Sequence, residues 1–427
     1  MKILVVSDNF SKGGLETQIN TYYNNLPNNI EFVFAFGKYT KTDLISGAKI
    51  YQNFNFSFND TILDFCEDVE RLISIIKEED IDVIHVHPYY GFFAALFASQ
   101  ITKTKIVYTY HGIGSFNFTK THISQPLFLY SFESGAISNV FSVSEIGVNN
   151  FSKIGYNNAI LLENPIDLKQ FPIANYVNNK KWLLISRIDS DKIGEIKLII
   201  SKMSNYDIKY IDILGDGNEF DNLNEYLKNN KLTQKVSLKG YSNKIYNEVN
   251  NKYNGIIGIG RVILEGLAMK VPCILIGNNK ITGFVNEKVY NEIKDINFIN
   301  RTTNIINNKM VTYEELGRIN LDLINKFSVD NILKKYVNIL LTSNSIYMPN
   351  LISLYSEIKK LSENAQLKNC YFHKERLVYN LVDTYVNKFS GLNDISIIST
   401  NTNLVYELYD LTTYRMNLIK EGEKWLK

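Results

Sequence analysis

The sequence predicts an α/β chain built from two Rossmann-like domains and followed by a helical extension. Three observations lead there. Short apolar runs alternate with segments of helical periodicity up to about residue 342, the pattern of βαβ units on a parallel sheet. The alternation breaks at the polar stretch LKQFPIANYVNNKK and then restarts in like manner. KILVVSDNFSKGG, from residue 2, and WLLISRIDSDKIG, from residue 182, each give a strand, a polar loop and a glycine near a helix start. Past about residue 343 only helical spacing remains.

Taken in order, KILVV is a buried strand and Gly14 to Leu26 a helix. EFVFAF is a strand, and Asp60 to Lys77 a helix with apolar residues three and four apart. DVIHVH, KIVYTY and NVFSV are further strands with helices between them. In the second half WLLIS, YIDILG, KVSLKG, GIIGI and VPCILIG are strands. LISLYSEIKKL, KERLVYNLVDTYVNKF and NLVYELYDLTTYRMNLIKEGEKWLK read as helices, with a break at FSGLND. The expected division is a first domain over 1–170, a second over 180–327 and a helical extension over 343–427. Ligands of such sheets bind beyond the carboxyl ends of the strands, so the cleft between the domains is the expected site.

Composition narrows the class. A chain of 427 residues with 45% hydrophobic content is long enough for two cores and too apolar for disorder. The net charge of +2 does not suit a nucleic-acid binder. Cys66, Cys273 and Cys370 form no CxxC pair, which argues against disulfides and structural zinc. The start, MKILVVSDNF, reads as a first strand and is too short for a signal peptide. Tyr89 to Ala98, the most apolar stretch, is far below the ~20 residues that span a bilayer. A reduced, cytoplasmic protein is expected.

Several motifs carry chemistry. Gly13 and Gly14 open a helix, where backbone N–H groups can meet a phosphate; a plain tight turn explains them equally well. Arg187 and Lys192 follow the strand that opens the second domain and could clamp a diphosphate or simply face solvent. Asp189 and Asp191 resemble a metal-binding pair, yet they lie between two cations that would compete with a metal, so no metal is expected. His85 and His87 share one face of a strand and fit packing better than ligation. His111 ends the strand KIVYTY before Gly112, at the sheet's ligand-binding edge. Ser144 and Glu145 fit a helix cap, and Asn164 to Asp167 a turn. Gly258 and Gly260 precede a helix that starts near Arg261 and contains Glu265. A cation at a helix start opposes the macrodipole, and a carboxylate in an apolar run needs a partner. An i,i+4 ion pair answers one way; a nucleoside diphosphate, with its phosphate at the helix start and its ribose one turn along, answers another.

SKGGLE, DVIHVH, YTYHG, VSE, ENPID, SRIDSDK, ILGDGNE and GRVILEGLAMKVP come in the order seen in family 4 retaining glycosyltransferases, and the chain resembles them over about 1–342. The resemblance implies a GT-B fold, with an acceptor-side domain, a domain for the nucleotide-sugar co-substrate and a helix over 328–342 crossing back to the first domain. It implies that Gly13 and Gly14 lie near the donor phosphates, His111 near the transferred sugar, and Arg187 and Lys192 at the diphosphate. Gly215 lies in its donor-side motif. Gly260, Arg261 and Val262 would offer a helix N-terminus to the diphosphate, and Glu265 would bind the ribose. The family needs no metal or other cofactor. A departure stands at Ile257, where the family carries a glutamate that touches the donor sugar. The implied activity is retaining transfer of a hexosyl or N-acetylhexosaminyl group to a bacterial cell-surface glycan or lipid-linked acceptor. A nucleotide-sugar epimerase and a non-catalytic glycan- or partner-binding descendant are the alternatives. Residues 343–427 are a candidate contact with the inner face of the cell membrane or with a second copy.

Overall fold

The structure is a computed structural model that describes residues 1–10, 13–38, 40, 45–57, 60–112, 131–132, 134–153, 156–242, 245–299, 307–363 and 365. It divides into two compact units. One comprises Met1–Leu162 and the chain from Tyr336 onward, the other Glu163–Lys335.

The first unit runs β1 (Lys2–Ser7), α1 (Gly14–Tyr23), β2 (Glu31–Gly37), β3 (Lys49–Phe54), α2 (Ile62–Glu78), β4 (Val83–Val86), α3 (Gly91–Thr102), β5 (Lys105–Tyr110), β6 (Asn139–Ser142), α4 (Glu145–Lys153) and β7 (Ala159–Leu161). The strands form one parallel sheet in the order β3-β2-β1-β4-β5-β6-β7. Sequence dictates the pieces. Leu4, Val6, Val33 and Ala35 are buried because their strands are covered on both faces. Thr61 and Asp64 form a capping box that starts α2, whose Phe65, Val69, Leu72 and Ile76 fall three or four apart and enter the core. The apolar run noted above becomes α3, buried from Gly91 to Gln100. No helix among the described residues is long and apolar enough to cross a membrane.

The second unit holds β8 (Lys181–Ile185), α5 (Ile193–Ser201), β9 (Tyr210–Leu214), α6 (Phe220–Asn229), β10 (Val236–Gly240), α7 (Ile245–Val249), β11 (Gly255–Gly258), α8 (Arg261–Ala268), β12 (Cys273–Gly277), β13 (Lys280–Phe284), α9 (Glu287–Ile293) and α10 (Tyr313–Phe327). Its sheet order is β10-β9-β8-β11-β12-β13, parallel except for the last strand. The unit begins at Glu163, before residue 170, because the ENPID segment is held by second-unit residues. The Ile166 N–H donates to the Phe327 carbonyl at 2.8 Å, Val329 N–H donates to the Ile166 carbonyl at 3.0 Å, and Glu163 meets Lys326 and Lys335.

Two helices follow, α11 (Val329–Thr342) and α12 (Pro349–Glu363). The former starts in the second unit and ends in the first. The latter buries Leu351, Tyr355 and Ile358 in the first unit's core, and its Lys359 and Tyr355 bind Glu70 of α2 at 2.7 and 3.0 Å. The described start of the extension is therefore part of a core. The helices expected over 374–389 and 403–427, and the break over 389–394, lie outside the described residues.

Candidate active site

In the second sheet the chain moves from β8 to β9 and β10 on one side, then reaches β11 and β12 on the other. The gap between the carboxyl ends of β8 and β11 is the switch point at which α/β sheets bind ligands. Arg187 and Lys192 follow β8, Gly215 follows β9, and Gly260 to Glu265 follow β11, so all of these expected residues share one sheet edge.

Gly215 is required by packing: a Cβ there would overlap the Ser186 carbonyl oxygen. Gly258 is bare because Val262 lies over it, and Gly260 caps α8 with φ +62° and ψ −128°, which side chains avoid. The first N–H groups of α8 have no partner in their own helix. Arg187, 61% exposed, binds Asp189 at 2.6 Å and Asp191 at 3.4 Å. Lys192 lies 3.5 Å from Asp191 and 3.8 Å from Glu195. Both aspartates thus face cations, and no cluster of metal-ligating side chains occurs among the described residues.

Arg261 and Glu265 face each other. Nε of Arg261 lies 3.0 Å from Oε1 of Glu265, with side chains only 11% and 6% exposed, and Nη1 donates to the Pro165 carbonyl at 3.0 Å. The ion pair and the Pro165 carbonyl offset the unfavourable position of a cation at a helix start. Burial pushes the Glu265 carboxyl above its usual range, and Arg261 pulls it back.

In the first sheet the switch point lies between β1 and β4. Gly14 opens α1 after β1. Among the described residues, a Cβ on it would meet nothing within 4 Å, so packing does not demand a glycine there. Among the described residues, a Cβ on Gly13, the cap, would meet the far end of the Glu16 side chain. His111 directly follows β5, and its Nε2 shares a 2.8 Å hydrogen bond with Nδ1 of His87. His85 and His87 do share a face, with ring centroids 4.3 Å apart. His85 binds Tyr336 at 2.8 Å and Thr109 at 2.7 Å. Burial pushes His85 and His111 down to about 3, and His87 well below its usual range, so all three are neutral at physiological pH.

Residues 12–170 match the model for Glycosyltransferase Family 4. A glycosyltransferase from Rickettsia africae superposes with a TM-score of 0.58 at 20% identity, covering 84% of this chain and 98% of that one. The protein HepE from Anabaena, solved with UDP and glucose, gives 0.59 at 14% identity over 80% of this chain and 100% of its own. Sucrose-phosphate synthase from Thermosynechococcus elongatus gives 0.55 at 13% identity, over 79% and 97%. The fold is that of the GT-B glycosyltransferases. No curated protein matches the chain by sequence.

In this GT-B fold Asp8 and Glu195 make contacts that no motif marks. The Asp8 carboxylate follows β1 and accepts the backbone N–H groups of Tyr89, Tyr90 and Gly91 at 2.6–2.8 Å, closing the start of α3. An aspartate directly after an apolar strand was the available signal. Glu195, in the first turn of α5, is buried and accepts the Asn278 N–H at 2.7 Å. Asn164 donates to Asn297 at 2.7 Å, tying ENPID to the segment whose Phe298 carbonyl accepts the Gly260 N–H. Ile257 lies in the middle of β11, wholly buried in a core that includes Leu184 and Ile274.

Proposed function

We propose that this chain is a nucleotide-sugar-dependent glycosyltransferase that carries a hexosyl or N-acetylhexosaminyl group to a bacterial cell-surface glycan or lipid-linked acceptor, with retention of configuration. The observation that carries the reading is the grouping of Arg187, Lys192, Gly215 and the start of α8 at one switch point. Anabaena HepE has been solved with UDP-glucose, which supports a donor of that chemical class.

In this reading Arg187 and Lys192 stabilise the diphosphate as it leaves, an electrostatic contribution typically worth several kcal/mol. Their present partners are partly exposed carboxylates, and such pairs are worth about 0–1 kcal/mol, so exchange for a diphosphate costs little. The N–H groups of Arg261 and Val262 add the helix N-terminus. Glu265 keeps Arg261 on one carboxylate oxygen and receives a ribose hydroxyl on the other. Gly13 and Gly14 are the glycines proposed to serve the donor phosphates, and neutral His111, paired with His87, is the hydrogen-bonding group proposed for the transferred sugar. Displacement occurs on the face from which the diphosphate departs, with that phosphate as the base. Asp189 and Asp191 are engaged by cations, and the reaction needs no divalent metal. The chain past residue 365 is the proposed contact with the membrane's inner face or with a second copy.

A thermal-shift screen of nucleotide sugars tests the reading, because a ligand at 100 times its Kd stabilises by about 2.7 kcal/mol. One donor is expected to raise the melting temperature, and transfer is expected to continue in excess EDTA. Arg187→Ala should weaken diphosphate binding roughly tenfold or more while leaving the melting temperature unchanged. No response to any nucleotide sugar would overturn the proposal. Conversion of donor without acceptor would mark an epimerase instead.

A further inference from the structure

At the opposite end of the second sheet, where β8, β9 and β11 begin, lies a cavity of about 230 Å³. Five-residue β8 separates it from the switch point by about 15 Å, so it is distinct from the candidate donor site. Its floor is buried and mostly aromatic. Trp182, Tyr206 and Phe284 meet there, with ring centroids 5.7 Å apart for Trp182–Phe284 and 5.9 Å for Tyr206–Phe284. Its rim is exposed and rich in amides and hydroxyls, including Asn178, Ser204, Asn205 and Asn308. The charges at the rim cancel, because Lys180 and Asp207 bind each other at 2.9 Å.

Asn254 makes the cavity more than a dent. The residue is 3% exposed and lines the floor. The backbone N–H donates to the Lys181 carbonyl at 2.7 Å, but among the described residues Nδ2 meets only Met310 Sδ, at 3.9 Å, and the buried Oδ1 has no hydrogen-bond partner. A buried amide oxygen left unsatisfied is expensive, so something that donates a hydrogen bond belongs there.

We propose that this cavity binds one neutral sugar ring. A hydroxyl of the ring would donate to Asn254 Oδ1, its apolar face would lie on the aromatic floor, and its outer hydroxyls would meet the rim amides. The volume falls below the ~300–1,000 Å³ that engulfs a drug-sized ligand and suits a single monosaccharide unit better than a nucleotide. A rim without net charge offers no hold to a phosphate. The inference is independent of the transferase reading.

The chain has two tryptophans, Trp182 and Trp425, so a Trp425→Phe variant of the full chain makes Trp182 the sole indole reporter. It is titrated with the methyl glycosides of glucose, galactose and N-acetylglucosamine, and with inorganic phosphate as control. At least one glycoside should change Trp182 emission saturably, and phosphate should not. Asn254→Ala should weaken that response roughly fivefold to tenfold. Ser204→Phe, a change at the exposed rim that spares the core, should abolish it, which keeps the test decisive if Asn254→Ala folds poorly. Saturating UDP should leave the response in place. The proposal is overturned if no glycoside responds, which would leave a trapped water as the partner of Asn254. It is equally overturned by a response that survives Ser204→Phe unchanged or that UDP displaces.

Discussion

Replacing Glu265 by glutamine keeps the shape of α8 and removes one charge from a buried pair. At 3.0 Å and an effective dielectric constant near 20, the gross attraction between Arg261 and Glu265 is about 5 kcal/mol. Most of that is offset by the cost of burying the carboxylate, which the upward push on its pKa reflects. The Pro165 carbonyl remains as a partner for the stranded guanidinium. The net loss expected is that of a hydrogen bond to a charged group, about 1.5–3 kcal/mol. At roughly 2–4 °C per kcal/mol for a unit of this size, Glu265→Gln should lower the melting temperature by about 3–12 °C. If the second carboxylate oxygen also takes a ribose hydroxyl, affinity should fall roughly ten- to hundredfold, for bare nucleoside as well as for the diphosphate. Scanning calorimetry reads the first effect and isothermal titration the second. An unchanged melting temperature would refute the account of how α8 is held, and unchanged nucleoside affinity would refute the ribose contact.

The remaining predictions concern acid, glycine and chain length. His85, His87 and His111 are neutral when folded and lie below their unfolded pKa of about 6.5, so the unfolded chain binds more protons beneath that value. Stability should therefore be full above a pH of about 6.5 and fall as pH drops from there toward 3, by up to about 1.4 kcal/mol per histidine per pH unit. Melting temperatures against pH should show a shallower acid slope in His85→Gln. Gly215→Ala should unfold or strongly destabilise the second unit, because its Cβ overlaps the Ser186 carbonyl. Gly14→Ala should melt no lower than the parent yet lose affinity for the donor diphosphate, and an undiminished affinity would remove Gly14 from the site. Ending the chain at residue 345 should yield insoluble protein, since it removes Leu351, Tyr355 and Ile358 from the first core; a soluble, cooperatively melting product would contradict that packing.

The central strands were legible because burial on both faces forces continuous apolar runs: KILVV, EFVFAF and WLLIS could be little else. The strands that left the weakest signal, β3, β7 and β13, are all edge strands. Half of KIYQNF is polar because β3 pairs on one side only, and β7 has three residues, none fully buried. The hairpin of β12 and β13 did leave a mark. Asn278 and Asn279 have φ of 51° and 57°, the pair of positive values that a two-residue turn needs, and ILIGNNKITGF shows two apolar runs joined by two asparagines. For the site, sequence order assembled the β8 and β11 loops, because successive strands in such a sheet present their carboxyl ends together. It could not decide whether Arg261 and Glu265 look at each other or outward, since a helix start allows both. Nor could it find Pro165, whose carbonyl reaches Arg261 from nearly a hundred residues earlier in the chain.

α11 has a consequence for how such genes can recombine. Val329–Lys335 belong to one unit and Tyr336–Thr342 to the other. A crossover that replaces the second unit has one joint at Leu162–Glu163, and its other joint falls inside a continuous helix. One residue gained or lost there turns everything downstream by about 100° around the helix axis. Tyr336, which stacks on Tyr22 and hydrogen-bonds His85, would swing out of its seat. Chimeras that exchange this unit must therefore keep the phase of α11 to the residue, and at the first joint they must keep the register that ties Leu162 to Ser142 and Ile166 to Phe327.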